Sequence, residues 1–234
     1  MKAVFIFAHP DDESFSSGGT IAKLTQKGVV VKLITATKGE EGQLGEPPIT
    51  TRENIAEIRE KELNTATKIL GISKIYFLGL KDGSLPKIPL KNLSDKVLKI
   101  LVAEKPNIIV TFGKEGASRH PDHIKIGKAG THAFRKYMNL INKKVKLYHV
   151  VSPRSLVKKL KKMGIVYNAF GEIKGTPDSK ITTILDISET IDKKIKALKS
   201  HKTQRKDVER FLKRSDFKEY RYEFFQLVIE NSII

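Results

Sequence analysis

The sequence contains no cysteine in its 234 residues. That absence excludes disulfides, thiolate metal sites and cysteine nucleophiles, so a bound metal would have to be held by His, Asp or Glu. No stretch approaches the roughly 20 apolar residues of a spanning helix. The apolar start of MKAVFIFAHPDDE is too short for a signal h-region and runs straight into polar residues. No Gly/Ser linker, low-complexity run or repeat divides the chain. The expectation is one soluble, cytoplasmic domain over residues 1–234, long enough to bury a core.

Acidic residues are also scarce: 26 Asp+Glu stand against 44 Lys+Arg, a formal charge of +18. Such a balance suits nucleic acid or an anionic membrane surface. The lysines, however, are spread over many segments, among them Lys158, Lys159, Lys161 and Lys162, and Lys193, Lys194, Lys196 and Lys199, without interleaved aromatics. That pattern reads first as solvated helix faces and argues against nucleic acid.

What is present is an alternation of short apolar runs and amphipathic segments. Strands are expected over residues 4–8, 29–36, 74–78, 107–112 and 145–151. Helices are expected over 17–27, 52–70, 93–103 and 121–137, with Gly28 and Gly71 as stops. A mixed tail follows: helices near 156–163 and 191–202, strands near 181–185 and 222–229. Continuously apolar strands in βαβ order predict an α/β fold, a mostly parallel sheet with helices on both faces.

Ligands of such sheets bind outside the carboxyl ends of the strands. Four polar segments fall there: His9–Glu13, Thr37–Glu41, Gly79–Gly83 and Arg119–His123. In a tight turn or first helical turn, residues three apart share a side. His9 and Asp12 can therefore aim at one atom while Asp11 points elsewhere, and His123 can join them from the other segment, which Pro121 helps to start as a helix. Two imidazoles and a carboxylate leave coordination positions open, the arrangement of a catalytic zinc site or that of another divalent metal. Asp11 would be a free carboxylate beside a metal-bound water, able to take its proton. His120, if protonated, would stabilise an oxyanion or supply the leaving-group proton. Taken singly, Asp12 reads equally as a helix cap. Glu62 reads as half of a helix ion pair, His201 as a solvated residue on a Lys-rich helix, His132 and His149 as structural, and Asp82–Gly83 as a turn.

Ala8–His9–Pro10–Asp11–Asp12–Glu13 with Ser17–Gly18–Gly19–Thr20, together with the distal His120–Pro121–Asp122–His123, resembles the PIG-L/LmbE-like N-deacetylases. Thr37–Lys38–Gly39–Glu40, the run from Arg59 through Glu62 and Leu63 to Leu70–Gly71, and Lys196–Ala197–Leu198 leading to His201 and Gln204 extend the resemblance over nearly the whole chain. The resemblance implies a Rossmann-like fold and zinc held by His9, Asp12 and His123, with Asp11 as general base. It implies that His120 stabilises the tetrahedral intermediate or acts as acid, that Asp122 tunes His120, and that Arg59 lies near the substrate. The substrate would be an N-acetylglucosamine unit joined to a thiol precursor, an inositol lipid or a chitin fragment, and some relatives assemble as homo-oligomers. One departure stands out: some relatives carry a catalytic tyrosine two residues before the first His of HPDH, and here that residue is Ser118. Two other functions compete: a basic nucleic-acid-binding protein with a vestigial metal site, and a metal phosphoesterase, which usually needs two metals where this ligand set suffices for one. The loops 39–51 and 166–180 are expected to shape the pocket.

Overall fold

A computed structural model of the chain describes residues 1–164, 169–213 and 218–230. Its strands are β1 (Lys2–Phe7), β2 (Val30–Thr35), β3 (Lys74–Phe77), β4 (Ile108–Phe112), β5 (Lys146–Val150), β6 (Thr183–Asp186) and β7 (Tyr222–Glu230). They form one sheet in the order β3-β2-β1-β4-β5-β7-β6. The first five run parallel, while β7 pairs antiparallel with both β5 and β6. This is the expected α/β architecture with a mostly parallel sheet, extended by an antiparallel end.

The helices are α1 (Asp12–Gln26), α2 (Ile55–Leu70), α3 (Leu90–Glu104), α4 (Pro121–Met138), α5 (Arg154–Lys162), α6 (Ile191–Ser200) and α7 (Arg205–Leu212). One layer is built from α1, α2 and α6, which pack on one another; α3 and α4 pair in the other. Strand β1 explains why the sheet needs both layers. Its side chains Phe5, Ile6 and Phe7 are all fully buried, and each such burial contributes about 1.5–3 kcal/mol. A strand apolar on both faces is stable only when both are covered.

Beyond shifts of a few residues at helix ends, two differences from the expectation stand out. Helix α1 begins at Asp12, not Ser17, so the polar motif after β1 is itself the first helical turn. The Ser/Gly run that looked like a helix start lies inside the helix, because its partners come close: a Cβ on Gly19 would stand 2.5 Å from Ile187. Helix α7 was not expected at all; its composition is mostly charged, and only Val208 is buried.

Strand order reverses between β1 and β4: from β1 the chain moves outward to β2 and β3, then returns to β4 on β1's other side. The loops leaving β1 and β4 therefore part at their carboxyl ends and open a crevice, the place where such sheets bind ligands. Both HPD-containing motifs sit there.

Candidate active site

His9 follows β1 and Asp12 opens α1; His123 lies in the first turn of α4. Their donor atoms converge. His9 Nδ1 is 3.0 Å from His123 Nε2, which is 3.2 Å from Asp12 Oδ1; Asp12 Oδ2 is 3.7 Å from His9 Nδ1. A tetrahedral zinc with bonds of roughly 2.1 Å holds its donors roughly 3.4 Å apart. The separations of His123 Nε2 from His9 Nδ1 and from Asp12 Oδ1 lie close to that value, and His9 approaches the other oxygen of the same carboxylate.

The remaining atoms of these side chains are committed elsewhere, which is what aims them. His123 Nδ1 donates to the carbonyl of Gly116 at 2.9 Å, leaving the Nε2 lone pair for the site. Asp12 Oδ2 accepts the backbone N–H of Ala8 and His9, at 3.1 and 2.8 Å. His9 Nε2 faces Asp82 Oδ1 at 2.8 Å and Asp122 Oδ2 at 3.4 Å. Carboxylates behind a ligating imidazole fix its ring and raise its basicity. Burial opposes charge on His9, but Asp122, Asp82 and Asp12 outweigh it and raise its pKa to about 10. Desolvation and that neighbouring charge lower His123 to about 3. A divalent cation would take both imidazoles in their neutral form, so its binding would be coupled to release of the proton that the raised pKa favours on His9.

Asp11 stands at the cap position of α1 but does not cap it: its side chain makes no bond to the helix N-terminus. Its φ of 103° is a conformation that non-glycine residues adopt at a cost of order 1–3 kcal/mol. Three contacts hold it. Glu13 accepts the Asp11 N–H at 3.0 Å. Arg59 donates to Asp11 Oδ2 at 2.9 Å and to the Pro10 carbonyl. Glu13 is itself locked to His201, Oε1 to Nε2 at 3.1 Å, with both side chains fully buried. Desolvation raises the Asp11 carboxyl to about 7, against the opposing charge of Arg59. That is the range of a general base working near neutrality.

His120 caps α4, its Nδ1 accepting the Asp122 N–H at 3.1 Å. An imidazole accepting at Nδ1 carries its hydrogen on Nε2. Desolvation, then the charges of His9 and His123, lowers its pKa to about 4, which favours the neutral ring with its hydrogen on Nε2. Its ring lies 4.8 Å from that of His9. Asp122 acts on His120 through its backbone N–H and through the charge of its carboxylate, which opposes the lowering; that buried carboxylate also faces His9 and accepts the N–H of Gly83 and Leu85.

A family model described as GlcNAc-PI de-N-acetylase (PIG-L) matches residues 4–134, the span that carries both motifs. The chain belongs to the PIG-L family. It is 33% identical to a probable N-acetyl-alpha-D-glucosaminyl L-malate deacetylase 2 of Bacillus anthracis over 202 residues, 86% of this chain and 80% of the relative. It is 30% identical to the 1D-myo-inositol 2-acetamido-2-deoxy-alpha-D-glucopyranoside deacetylase of Actinosynnema mirum over 231 residues, 87% of this chain and 80% of the relative. Its fold matches the N,N'-diacetylchitobiose deacetylase of Pyrococcus horikoshii with a TM-score of 0.72 at 22% identity, over 97% of this chain and 83% of that one.

In this PIG-L chain the structure gathers all seven residues singled out from the sequence at one cavity wall or just behind it. His9, Asp11, Asp12, His120, His123 and Arg59 line the cavity, and Asp122 lies fully buried behind His9. Arg59, expected near the substrate, is 3% exposed and spends its hydrogen bonds on Pro10, Asp11 and Gly39. Gly39 is required for that approach: with φ of 71°, a Cβ there would stand 2.0 Å from the guanidinium. Ser118 places Oγ 3.2 Å from His123 Nδ1.

Three residues given bland roles are part of this machinery. Asp82, read as a turn, pairs with His9; it lies two strands away at the end of β3, and no local spacing links the two. His201, read as solvated, is fully buried behind Asp11. Glu62, read as pairing along its own helix, accepts the N–H and hydroxyl of Thr203 at 2.8 and 2.6 Å, tying α2 to the turn after α6. His132 and His149 are structural, bonded to the hydroxyls of Ser94 and Thr131. Of the loops expected to shape the cavity, the first contributes Glu41, Gly42 and Gln43, the second Phe170 and Ile173; residues 166–168 lie outside those described. Among the described residues, no helix is long and apolar enough to cross a membrane.

Proposed function

We propose that this PIG-L chain is a zinc-dependent amidohydrolase that removes the N-acetyl group of an N-acetylglucosamine conjugate. The observation that carries the reading is the convergence of His9, Asp12 and His123 on one point, each oriented by a partner on its far side, with the restrained carboxylate of Asp11 beside them. The named relatives act on such conjugates, which sets the substrate class.

His9, Asp12 and His123 would hold the zinc, which when bound would supply Lewis acidity toward the acetamide carbonyl and lower the pKa of a water. The residues divide the rest. Asp11, held by Arg59 and Glu13, takes a proton from the attacking water as its oxygen bonds to the acetyl carbon. His120 donates its Nε2–H to the carbonyl oxygen as negative charge develops there, which favours the transition state over the ground state. The proton on Asp11 then passes to the sugar nitrogen, the C–N bond breaks, and acetate leaves with the free amine. With the His120 Nδ1 occupied by the Asp122 N–H, both proton transfers are assigned to Asp11.

Among the described residues, the candidate groups of metal donors all share His9, so the phosphoesterase reading finds no separate second metal site. Asp82 and Asp122, the further carboxylates near His9, are consumed by its Nε2 and by the backbone N–H of Glu41, Gly83 and Leu85. Nucleic-acid binding gains no support from the family. Acetate release from N-acetylglucosamine joined to malate, inositol, inositol phospholipid or a second N-acetylglucosamine tests the proposal, with metal-stripped protein as control. Release that depends on added zinc supports it; full activity after stripping, or in His123→Ala, sinks it.

A further inference from the structure

Resting on that reading, we infer that the group attached to the amino sugar is uncharged and apolar, an alkyl or aryl aglycone seated against the antiparallel end of the sheet. The cavity that contains the catalytic cluster has a volume of about 540 Å³, the size that encloses a drug-sized ligand. Its lining changes character with the element that supplies it. The loops after β1, β2, β3 and β4 bring the polar residues described above. The rest of the wall includes Phe15 of α1, Val151 after β5, Val157 and Leu160 of α5, Ile173, and Phe224 of β7.

Topology puts most of these residues on one side. β4 carries the second catalytic motif, β5 is its neighbour, and β7 lies beyond, antiparallel, with Phe225 opposite Val150. The start of β7 therefore stands at the same edge as the end of β5. A sugar whose acetamide reaches the triad at the β1/β4 crevice can extend its substituent toward this wall.

The charges in the lining favour the same conclusion. Among the described residues, the cavity's Arg and Lys side chains are Arg59, Lys194 and Arg210, and each already faces a carboxylate. Arg59 holds Asp11 at 2.9 Å, Lys194 holds Glu223 at 2.6 Å with both nearly fully buried, and Arg210 holds Asp207 at 3.0 Å. A carboxylate or phosphate on the aglycone would lose its water against apolar walls with those cations spoken for, which is costly. On that side Ser152 and Tyr222 offer hydroxyls while Glu223 is held by Lys194, too few partners for all the hydroxyls of a polyol. The malate and inositol conjugates handled by the relatives fit this wall poorly, whereas an alkyl or aryl group gains from every apolar contact.

The test is a substrate series on the zinc-loaded enzyme: methyl, butyl, octyl and phenyl glycosides of N-acetylglucosamine, below micelle-forming concentrations, beside the malate and inositol conjugates. We expect kcat/KM to rise about fourfold per added methylene until the wall is filled, and the octyl and phenyl glycosides to exceed both polar conjugates. A flat alkyl series, or preference for malate or inositol, overturns the aglycone assignment and leaves the deacetylase reading intact. No acetate from any member removes both. A second measurement needs no catalysis: the free-amine alkyl glucosaminides should raise the melting temperature of metal-free protein with chain length, and the glucosaminyl malate should not. Stabilisation by the malate compound alone overturns the assignment.

Discussion

The parallel strands β1–β5 and the antiparallel pair β6–β7, with the helices α6 and α7 between them, divide the work of this molecule. All three candidate metal ligands, Asp11 and His120 come from the parallel part, and the family model ends at residue 134, before β5 begins. The antiparallel end holds neither HPD-containing motif, yet it supplies Phe224 to the cavity and His201 to the support of Asp11. Chemistry is set at strand ends that share one edge; selection and bracing come from whatever chain is laid beside that edge. Buried contacts join the two parts: Glu13 with His201, Glu62 with Thr203, and Glu223 with Lys194 and the N–H groups of Gly19 and Thr20.

The sharpest way to break this division is Asp11→Asn, which removes the proton acceptor while preserving shape. kcat should fall about 10²–10⁴-fold, the usual contribution of a positioned acid–base group, with zinc content by elemental analysis unchanged. A smaller loss would move the base elsewhere.

Next in size is His201→Ala. It leaves Glu13 buried without its partner, which should cost about 3–5 kcal/mol in chemical denaturation. If His201 also braces Asp11, kcat measured well below the melting temperature should drop while KM holds, and His201→Gln should recover part of it. An unchanged kcat would reduce the antiparallel end to a purely structural support. Asp82→Ala should weaken zinc affinity about 10–100-fold in a chelator competition, as loss of a carboxylate behind a ligating histidine does. Unaltered affinity would mean that Asp122 alone orients His9.

The smallest effect is in pH. The carboxylate form of Asp11 is the active base, and its pKa is raised to about 7 in the metal-free site. Activity is therefore present above that pKa and lost as pH falls through it, about tenfold per unit. A bound cation adds to the pull of Arg59 and draws the break lower, so the acid limb of kcat/KM should break at or below pH 7. A break above pH 8 would assign it to a different group.

Much of the parallel part was legible from local pattern. Strands β1, β2 and β4 are mostly apolar because both faces are covered, and Gly71 stops α2 in the left-handed conformation, φ 80°. The start of α1 was misplaced because Asp11 enters it through a positive φ that only tertiary contacts hold. Helix α7 was missed because charged residues mask its single buried position. His201 looked solvated because its neighbours on α6 are lysines, although the residue itself closes that helix facing inward.

By itself the sequence determined the donor types, their three-residue spacings and the α/β alternation, because hydrophobic period and turn geometry act over a few residues. The tertiary structure alone decided which carboxylate stands behind which imidazole. His9 meets Asp122 across 113 residues and Glu13 meets His201 across 188. No local rule spans such separations; strand order and helix packing do, and they turned two short motifs into one oriented site with an apolar wall beside it.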